Sequence, residues 1–178
     1  MPIMVLCNLI IMPILTIFLG TYNRAHYLAK SIESILAQTF KEYQLIILDN
    51  ASTDDTQKVI IKYADNRMVC LRNETNIGAL ANGNRALELC KCINTEFISF
   101  FHDDDIMMPT MLESQIRIFR FNKDVILATT NNIHIDENDN FIRKNGIQIR
   151  RDIIFNRYKY IECFFKYNIS LLNEKGNK

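Results

Sequence analysis

Apolar runs alternate with amphipathic ones along this chain. Residues 14–19 and 43–48 are near-continuous apolar stretches bounded by polar turns, the pattern of strands covered on both faces. Between them Leu28, Ile32, Ile35 and Leu36 recur at helical spacing and predict a helix over 25–38. The alternation continues with a helix over 56–64, for which Ser52 or Thr53 is the expected N-cap. A short strand over 68–71, a helix over 80–92 and a strand over 96–101 follow. Pro109 opens a helix running to residue 121, in the first turn, where proline is tolerated. A fifth strand is expected over 125–129, then a hairpin turn at 136–140 between 133–135 and 141–142. A helix over 151–167, a strand at 168–172 and a polar tail complete the pattern. Strand and helix in repeated succession predict an α/β fold, a mostly parallel central sheet with helices on both faces.

In such sheets ligands bind beyond the carboxyl ends of the strands. Three polar segments fall there: residues 20–24, 49–56 and 102–105. The last is the most informative. Asp103, Asp104 and Asp105 follow directly on an apolar strand, and no Arg or Lys adjoins them in the sequence. Like charges side by side repel, so solvent must screen them or a cation must neutralise them. Two readings stand at this point. One is a divalent metal site at the mouth of the sheet. The other is a solvated acidic turn whose Asp residues favour the next helix N-terminus.

Neither a GxGxxG nor a GxxxxGK pattern occurs, which excludes an ordinary dinucleotide oxidoreductase or P-loop enzyme. A phosphate-bearing ligand would instead be held by a metal on the triplet and by donors from residues 20–24. Asp49 and Asn50, at the second strand end, suit base or ribose recognition, since their oxygens accept from N–H or hydroxyl groups.

Bulk properties narrow the class. The 178 residues suit roughly one domain, and 48% hydrophobic with 23% charged residues fits a soluble globular chain. A net charge of +1 makes no case for nucleic acid. Arg143, Lys144, Arg150, Arg151, Arg157 and Lys159 form a locally basic stretch. It reads as a solvated face, with a patch for an anionic acceptor or membrane surface as the sharper alternative. Cys7, Cys70, Cys90, Cys92 and Cys163 lack paired metal spacing and read as reduced thiols of a cytosolic protein. No charge occurs from residue 2 to 20, but Pro2, Asn8 and Pro13 interrupt the stretch. Residues 1–11 therefore read as an apolar extension, with a membrane anchor as the alternative.

The residues also carry a resemblance. Thr16-Ile17-Phe18-Leu19-Gly20-Thr21-Tyr22-Asn23-Arg24 is followed by Ser31-Ile32-Glu33-Ser34-Ile35-Leu36-Ala37-Gln38-Thr39-Phe40. Then come Leu48-Asp49-Asn50-Ala51-Ser52-Thr53-Asp54-Asp55-Thr56, Asn76-Ile77-Gly78, Asn84, and His102-Asp103-Asp104-Asp105 with Pro109 after it. In this order, with these gaps, they resemble the family 2 glycosyltransferases of the GT-A fold.

The resemblance implies a nucleoside-diphosphate-sugar donor, UDP- or dTDP-linked, and a Mg²⁺ or Mn²⁺ ion. Gly20, Thr21 and Tyr22 would contact the nucleotide, and Asp49 and Asn50 its base and ribose. Arg24, Ser52, Asn84 and Asp103 complete the expected donor-binding set. Asp104 matches the metal ligand best, with Asp103 and Asp105 beside it. A strict D-x-D in that register would begin at 102, where His102 stands; a structural histidine is the favoured reading there. Many relatives carry Asp at the position of Asn50 to accept from a pyrimidine ring, and an Asn oxygen can accept in its place. The implied reaction is metal-assisted and inverting, with a carboxylate base. Its acceptor would be a glycan or lipid-linked glycan in cell-surface polysaccharide assembly. That places the protein in the cytoplasm, at the inner face of the membrane with peripheral contact.

By the family pattern, residues 1–11 are the extension, 12–130 the donor half and 131–178 the start of an acceptor half whose C-terminal part is incomplete. The catalytic base is then expected beyond Lys178. The alternative reading is a non-catalytic nucleotide-sugar-binding fragment. A haloacid-type phosphohydrolase is disfavoured, because it wants paired Asp at the first strand end, where Gly20-Thr21-Tyr22 stand.

Overall fold

The computed structural model describes residues 13–130 and 132–144. The extension over 1–11, the helix over 151–167 and the strand at 168–172 lie outside the described residues. The chain divides into two compact units between Thr110 and Met111.

The first unit carries β1 (Leu15–Thr21), α1 (Ala25–Leu36), β2 (Tyr43–Asp49), α2 (Thr56–Lys62), β3 (Met68–Arg72), α3 (Ala79–Cys90) and β4 (Phe97–His102). The four strands form one parallel sheet in the order β3-β2-β1-β4. The chain steps outward from β1 to β3 and then returns to the far side of β1. That reversal opens a crevice at the strand ends between β1 and β4.

Each central strand is apolar throughout because both its faces are covered. Ile17 and Leu19 of β1 and Leu45 and Ile47 of β2 share one face by the two-residue period and are wholly inaccessible. On that face the Tyr43 hydroxyl donates to the Ile35 carbonyl of α1 at 2.8 Å. Leu28, Ile32 and Ile35 of α1 are equally inaccessible. The opposite parity, Phe18, Ile46 and Leu48, packs with Ala86 of α3 and with Leu71, Leu89, Cys90 and Ile93. Burying each such side chain contributes on the order of 1.5–3 kcal/mol.

The second unit contains α4 (Met111–Phe121), which buries Leu112 and Ile116, and an antiparallel pair, β5 (Ile133–Ile135) and β6 (Phe141–Lys144). Asp136 Oδ1 accepts from the Asn138 and Asn140 amides in the turn between the two strands, as the hairpin pattern predicts. Two expectations are corrected. Residues 125–129 form no strand: among the described residues no ladder pairs them, and Ile126 and Leu127 are exposed. The helix expected at Pro109 starts at Met111, and the Pro109 carbonyl accepts from the Thr39 amide at 2.9 Å.

Among the described residues no helix is long and apolar enough to cross a membrane. Cys70, Cys90 and Cys92 are free thiols, and burial pushes the Cys70 and Cys90 thiols upward.

At the strand starts, away from the crevice, Arg67 folds back on Asp65 with two hydrogen bonds of 2.8 Å and donates a third, also 2.8 Å, to the Tyr43 hydroxyl. Those bonds hold the Asp65 carboxyl down at about 2. A carboxyl depressed in the folded state stabilises fully above its unfolded value of ~3.9 and loses that contribution as pH falls toward the folded value. Urea denaturation across this acid range should show a shallower loss of stability for Asp65→Asn than for the parent.

Candidate functional site

A buried polar stripe along α1 and just past its end sets the position of the acidic turn. Ser31, Ser34 and Gln38 recur at i, i+3 and i+7 and point the same way as the apolar face. A buried hydroxyl or amide must find partners, and here they are the Ser31 and Ser34 carbonyls, for Ser34 Oγ and Gln38 Nε2, together with backbone groups of residues 102–108. Ser31 Oγ donates toward the His102 and Asp105 carbonyls. Ser34 Oγ accepts from the Met107 amide at 2.9 Å. Gln38 Nε2 faces the Met107 and Met108 carbonyls at 3.3 and 2.8 Å. The turn itself closes with the Asp105 amide donating to the His102 carbonyl.

The first two rim segments are stapled together. The Asn23 amide donates to Ser52 Oγ at 3.0 Å, and Asn23 Oδ1 accepts from the Thr53 amide at 2.7 Å. Asp54 supplies one carboxylate to two helix starts: Oδ2 accepts from the Ala25 amide of α1 and Oδ1 from the Thr56 amide of α2. This corrects the expected Ser52 or Thr53 cap. Residue Asp55 holds the N-cap position of α2 without a side-chain cap bond, and the neighbouring Asp54 carboxylate takes the Thr56 amide instead. Burial pulls the Asp54 carboxyl upward, but the Thr56 and Ala25 bonds outweigh it and leave it lowered. The loop requires positive φ at Ala51, 64°, a conformation that strains any residue with a Cβ.

At the acidic turn the isolation suggested by the sequence is overturned. Arg24, some eighty positions upstream, brings Nη1 within 2.5 Å of Asp104 Oδ2 and 3.5 Å of Asp103 Oδ1. The bond to Asp104, then the charge of Asp103, raises the guanidinium further above its ordinary value. Asp103 is buried, and burial raises its carboxyl although the Thr21 hydroxyl and Arg24 oppose the shift. Among the described residues no three His, Cys, Asp or Glu side chains form a preassembled metal cage. A Mg²⁺-type site in phosphate chemistry needs only one or two carboxylates beside phosphate oxygens. The adjacent Asp103 and Asp104 fit that smaller requirement.

A cleft of about 490 Å³ opens at the β1–β4 crevice. Gly20, Thr21, Tyr22, Arg24, Asn50 and Asp103 of the expected donor set line it, together with His102. The other expected residues stand elsewhere. Asp49 is wholly buried, its carboxylate accepting from the Ser52 amide and Gln57 Nε2 and pairing with Arg72 at 3.3 Å. It braces the loop from beneath. Ser52 is likewise buried as a staple. Asn84 is exposed on α3 away from the lining, and Asn82 and Gly83 face the cleft in its place. Asp104 and Asp105 are exposed beside the lining residues of the turn. The Asn50 oxygen, expected to accept from a base, already accepts from Asn73 Nδ2 and the Ile77 amide. Phe18 and Phe100, stacked at 5.7 Å, contribute an apolar wall that the sequence pattern recorded only as core. The dense run of Asn73, Asn76, Asn82 and Asn84 is the signal that would have found the polar wall.

Comparison with known proteins accords with this geometry. The chain matches the family model described as Glycosyl transferase family 2 over residues 16–174. Uncharacterized glycosyltransferase MJ1057 of Methanocaldococcus jannaschii is 33% identical, over 89% of this chain and 53% of its own. UDP-Glc:alpha-D-GlcNAc-diphosphoundecaprenol beta-1,3-glucosyltransferase WfaP of Escherichia coli is 32% identical, over 71% of this chain and 48% of its own. The chain thus spans about half the length of these curated relatives. Among solved structures, S. aureus TarS 1-349 in complex with UDP superposes with a TM-score of 0.55 at 26% identity, covering 61% of this chain and 32% of that one. Its likeness supports the GT-A architecture of a parallel sheet flanked by helices.

Two outcomes test the site's construction. Ser34→Ala leaves the buried Met107 amide without its acceptor, which should cost ~1–3 kcal/mol and speed hydrogen exchange at Met107. Arg24→Gln removes one of the groups opposing the burial of Asp103, so its carboxyl should titrate higher still, as read by carbon NMR of the carboxyl.

Proposed function

The chain belongs to glycosyl transferase family 2, and on that premise we propose that it binds a UDP- or dTDP-linked sugar in the β1–β4 cleft for transfer to an acceptor hydroxyl. The observation that carries this reading is the cleft's two-sided chemistry. An amide-lined wall at Asn50, Asn76 and Asn82 suits a base, and a cation–carboxylate cluster at Arg24 and Asp103 suits a diphosphate. The UDP-glucose named for WfaP and the UDP bound by TarS support the same donor class.

Asp104, with Asp103, is the proposed holder of Mg²⁺ or Mn²⁺, and Asp105 shapes the turn through its backbone. A divalent ion there would supply Lewis-acid stabilisation of the charge developing on the leaving diphosphate. Arg24 sits where its fixed charge can pass from the carboxylates to a phosphate oxygen, a partner its planar fork suits. Thr21 and Tyr22 border the nucleotide, and the Phe18–Phe100 wall keeps that side of the cleft apolar. Attack by the acceptor hydroxyl opposite the diphosphate inverts the anomeric centre. The diphosphoundecaprenol-linked acceptor named for WfaP supports a lipid-linked or glycan acceptor for this chain, and cell-surface polysaccharide assembly at the cytoplasmic face of a membrane is the setting proposed with it.

Calorimetric titration of UDP with and without Mn²⁺ tests the donor reading. Mn²⁺ should tighten UDP binding, and Asp104→Asn should cut that increment tenfold or more, the ~1.4 kcal/mol of one charge-assisted contact. UDP binding indifferent to both Mn²⁺ and the substitution would sink the assignment.

A further inference from the structure

Arg24 is fixed at its root and mobile at its tip. Its carbonyl accepts from the Tyr27 and Leu28 amides at 3.0 and 2.9 Å, which pins its backbone to the first turn of α1. On its other side Asn23 is stapled to Ser52 and Thr53. The side chain is 48% exposed, so the guanidinium can change partners by side-chain rotation while the loop stands still. A single nitrogen makes both of its ion pairs. Nη1 reaches Asp104 Oδ2 at 2.5 Å and Asp103 Oδ1 at 3.5 Å, the two carboxylates proposed to hold the divalent ion. The hydrogen bonds of this guanidinium to described residues all run through Nη1. The remaining N–H groups of the planar fork are left for another acceptor, and Arg24 lines the cleft beside Asp103.

Two cations thus call on the same oxygens. A divalent ion taken up by Asp103 and Asp104 meets a guanidinium bonded to both, and like charges at that range repel. The ion must break the pair or share the carboxylates with a second positive charge. A diphosphate removes the conflict. Its oxygens accept from the guanidinium in the bidentate way that a planar fork suits, and they supply the ion with further oxygen ligands.

We propose that Arg24 couples metal to nucleotide: its guanidinium competes with the divalent ion for Asp103 and Asp104, and a nucleoside diphosphate relieves the competition by taking the guanidinium. This rests on the nucleotide-sugar reading of the cleft and deepens it, adding control of metal uptake to the same site. Coupling between two ligands is reciprocal, so the nucleotide raises the affinity for the ion by the factor by which the ion raises the affinity for the nucleotide. Part of that factor comes from phosphate oxygens on the ion, and Arg24 supplies the rest. The signature lies in the ion alone. A guanidinium that served only as a phosphate contact would leave nucleotide-free metal binding unmoved, whereas a competitor weakens it.

Mn²⁺ binding, read from the electron paramagnetic resonance of the free ion, tests this with and without UDP. The proteins compared are the full chain, Arg24→Gln, Arg24→Lys and Lys58→Gln, the last removing a cation of α2 that pairs with Asp55. Without nucleotide, Arg24→Gln should bind Mn²⁺ roughly fivefold or more tighter than the parent, the worth of an exposed ion pair that no longer has to be broken. Arg24→Lys keeps a positive charge there and should return toward the parent, and Lys58→Gln should match the parent. The factor by which UDP tightens Mn²⁺ should fall by about the same fivefold in Arg24→Gln. Nucleotide-free Mn²⁺ binding that Arg24→Gln leaves unchanged, weakens or abolishes overturns the inference. So does equal tightening by Arg24→Lys or Lys58→Gln. In each of these cases UDP binding by the parent leaves the nucleotide reading intact. Failure of the parent to bind UDP, with Mn²⁺ and without it, overturns both.

Discussion

A buried hydroxyl or amide that finds no partner costs about as much as a large share of a domain's net stability. Ser31 and Ser34 on α1 and Gln38 just past its end are three buried polar side chains within eight positions. The carbonyls of Ser31 and Ser34 accept from Ser34 Oγ and Gln38 Nε2, and the segment after β4 supplies the remaining partners. The acidic turn is therefore held by the helix behind it. Without that stripe, residues 103–105 would be a charged loop free to relax away from its own repulsion. With it, Asp103 is pressed into the protein at a raised affinity for its proton, and Arg24 is drawn across to meet it.

The parallel register does the rest of the positioning. Gly20 lies opposite both Leu48 and His102, and Thr21 opposite Asp49, so three strands finish at one level. Loops leaving that level are bound to each other rather than to solvent: Asn23 to Ser52 and Thr53, and Asp54 to the starts of both α1 and α2. Asp49 is the keystone beneath them, a wholly buried carboxylate held by an amide, a glutamine and an arginine. Strain at Ala51 is tolerated because these bonds over-determine the loop.

Exposed ion pairs contribute little to stability, and the Arg24–Asp104 pair is half-exposed on both sides. Its value is placement: it keeps a cation beside two adjacent carboxylates and close to the cleft. Under the proposed function, the weak pair would be exchanged at small cost for a divalent ion and a diphosphate. The asparagine wall has the opposite character. Its orientations are dictated by backbone groups, and its Asn50 and Asn76 oxygens are engaged within the protein.

Much of the fold was legible in the chain. Continuous apolar strands and amphipathic helices are local patterns set by burial, and β1 to β4 and α1 to α3 stand within a few residues of where those patterns put them. Residues 125–129 show the limit: an apolar run becomes a strand only with a neighbour to complete its hydrogen bonds. At the site, Gly20, Thr21, Tyr22, Arg24, Asn50 and Asp103 could be named from strand-end position and motif. What the linear sequence could not show is which polar groups the protein satisfies internally. Asp49 and Ser52 look like ligand contacts and serve as braces, whereas Asn76 and Asn82 look like turn and helix residues and line the cleft. Hydrogen-bond valence is consumed by partners up to eighty positions away, and only the folded chain decides which donors and acceptors are left to face a ligand.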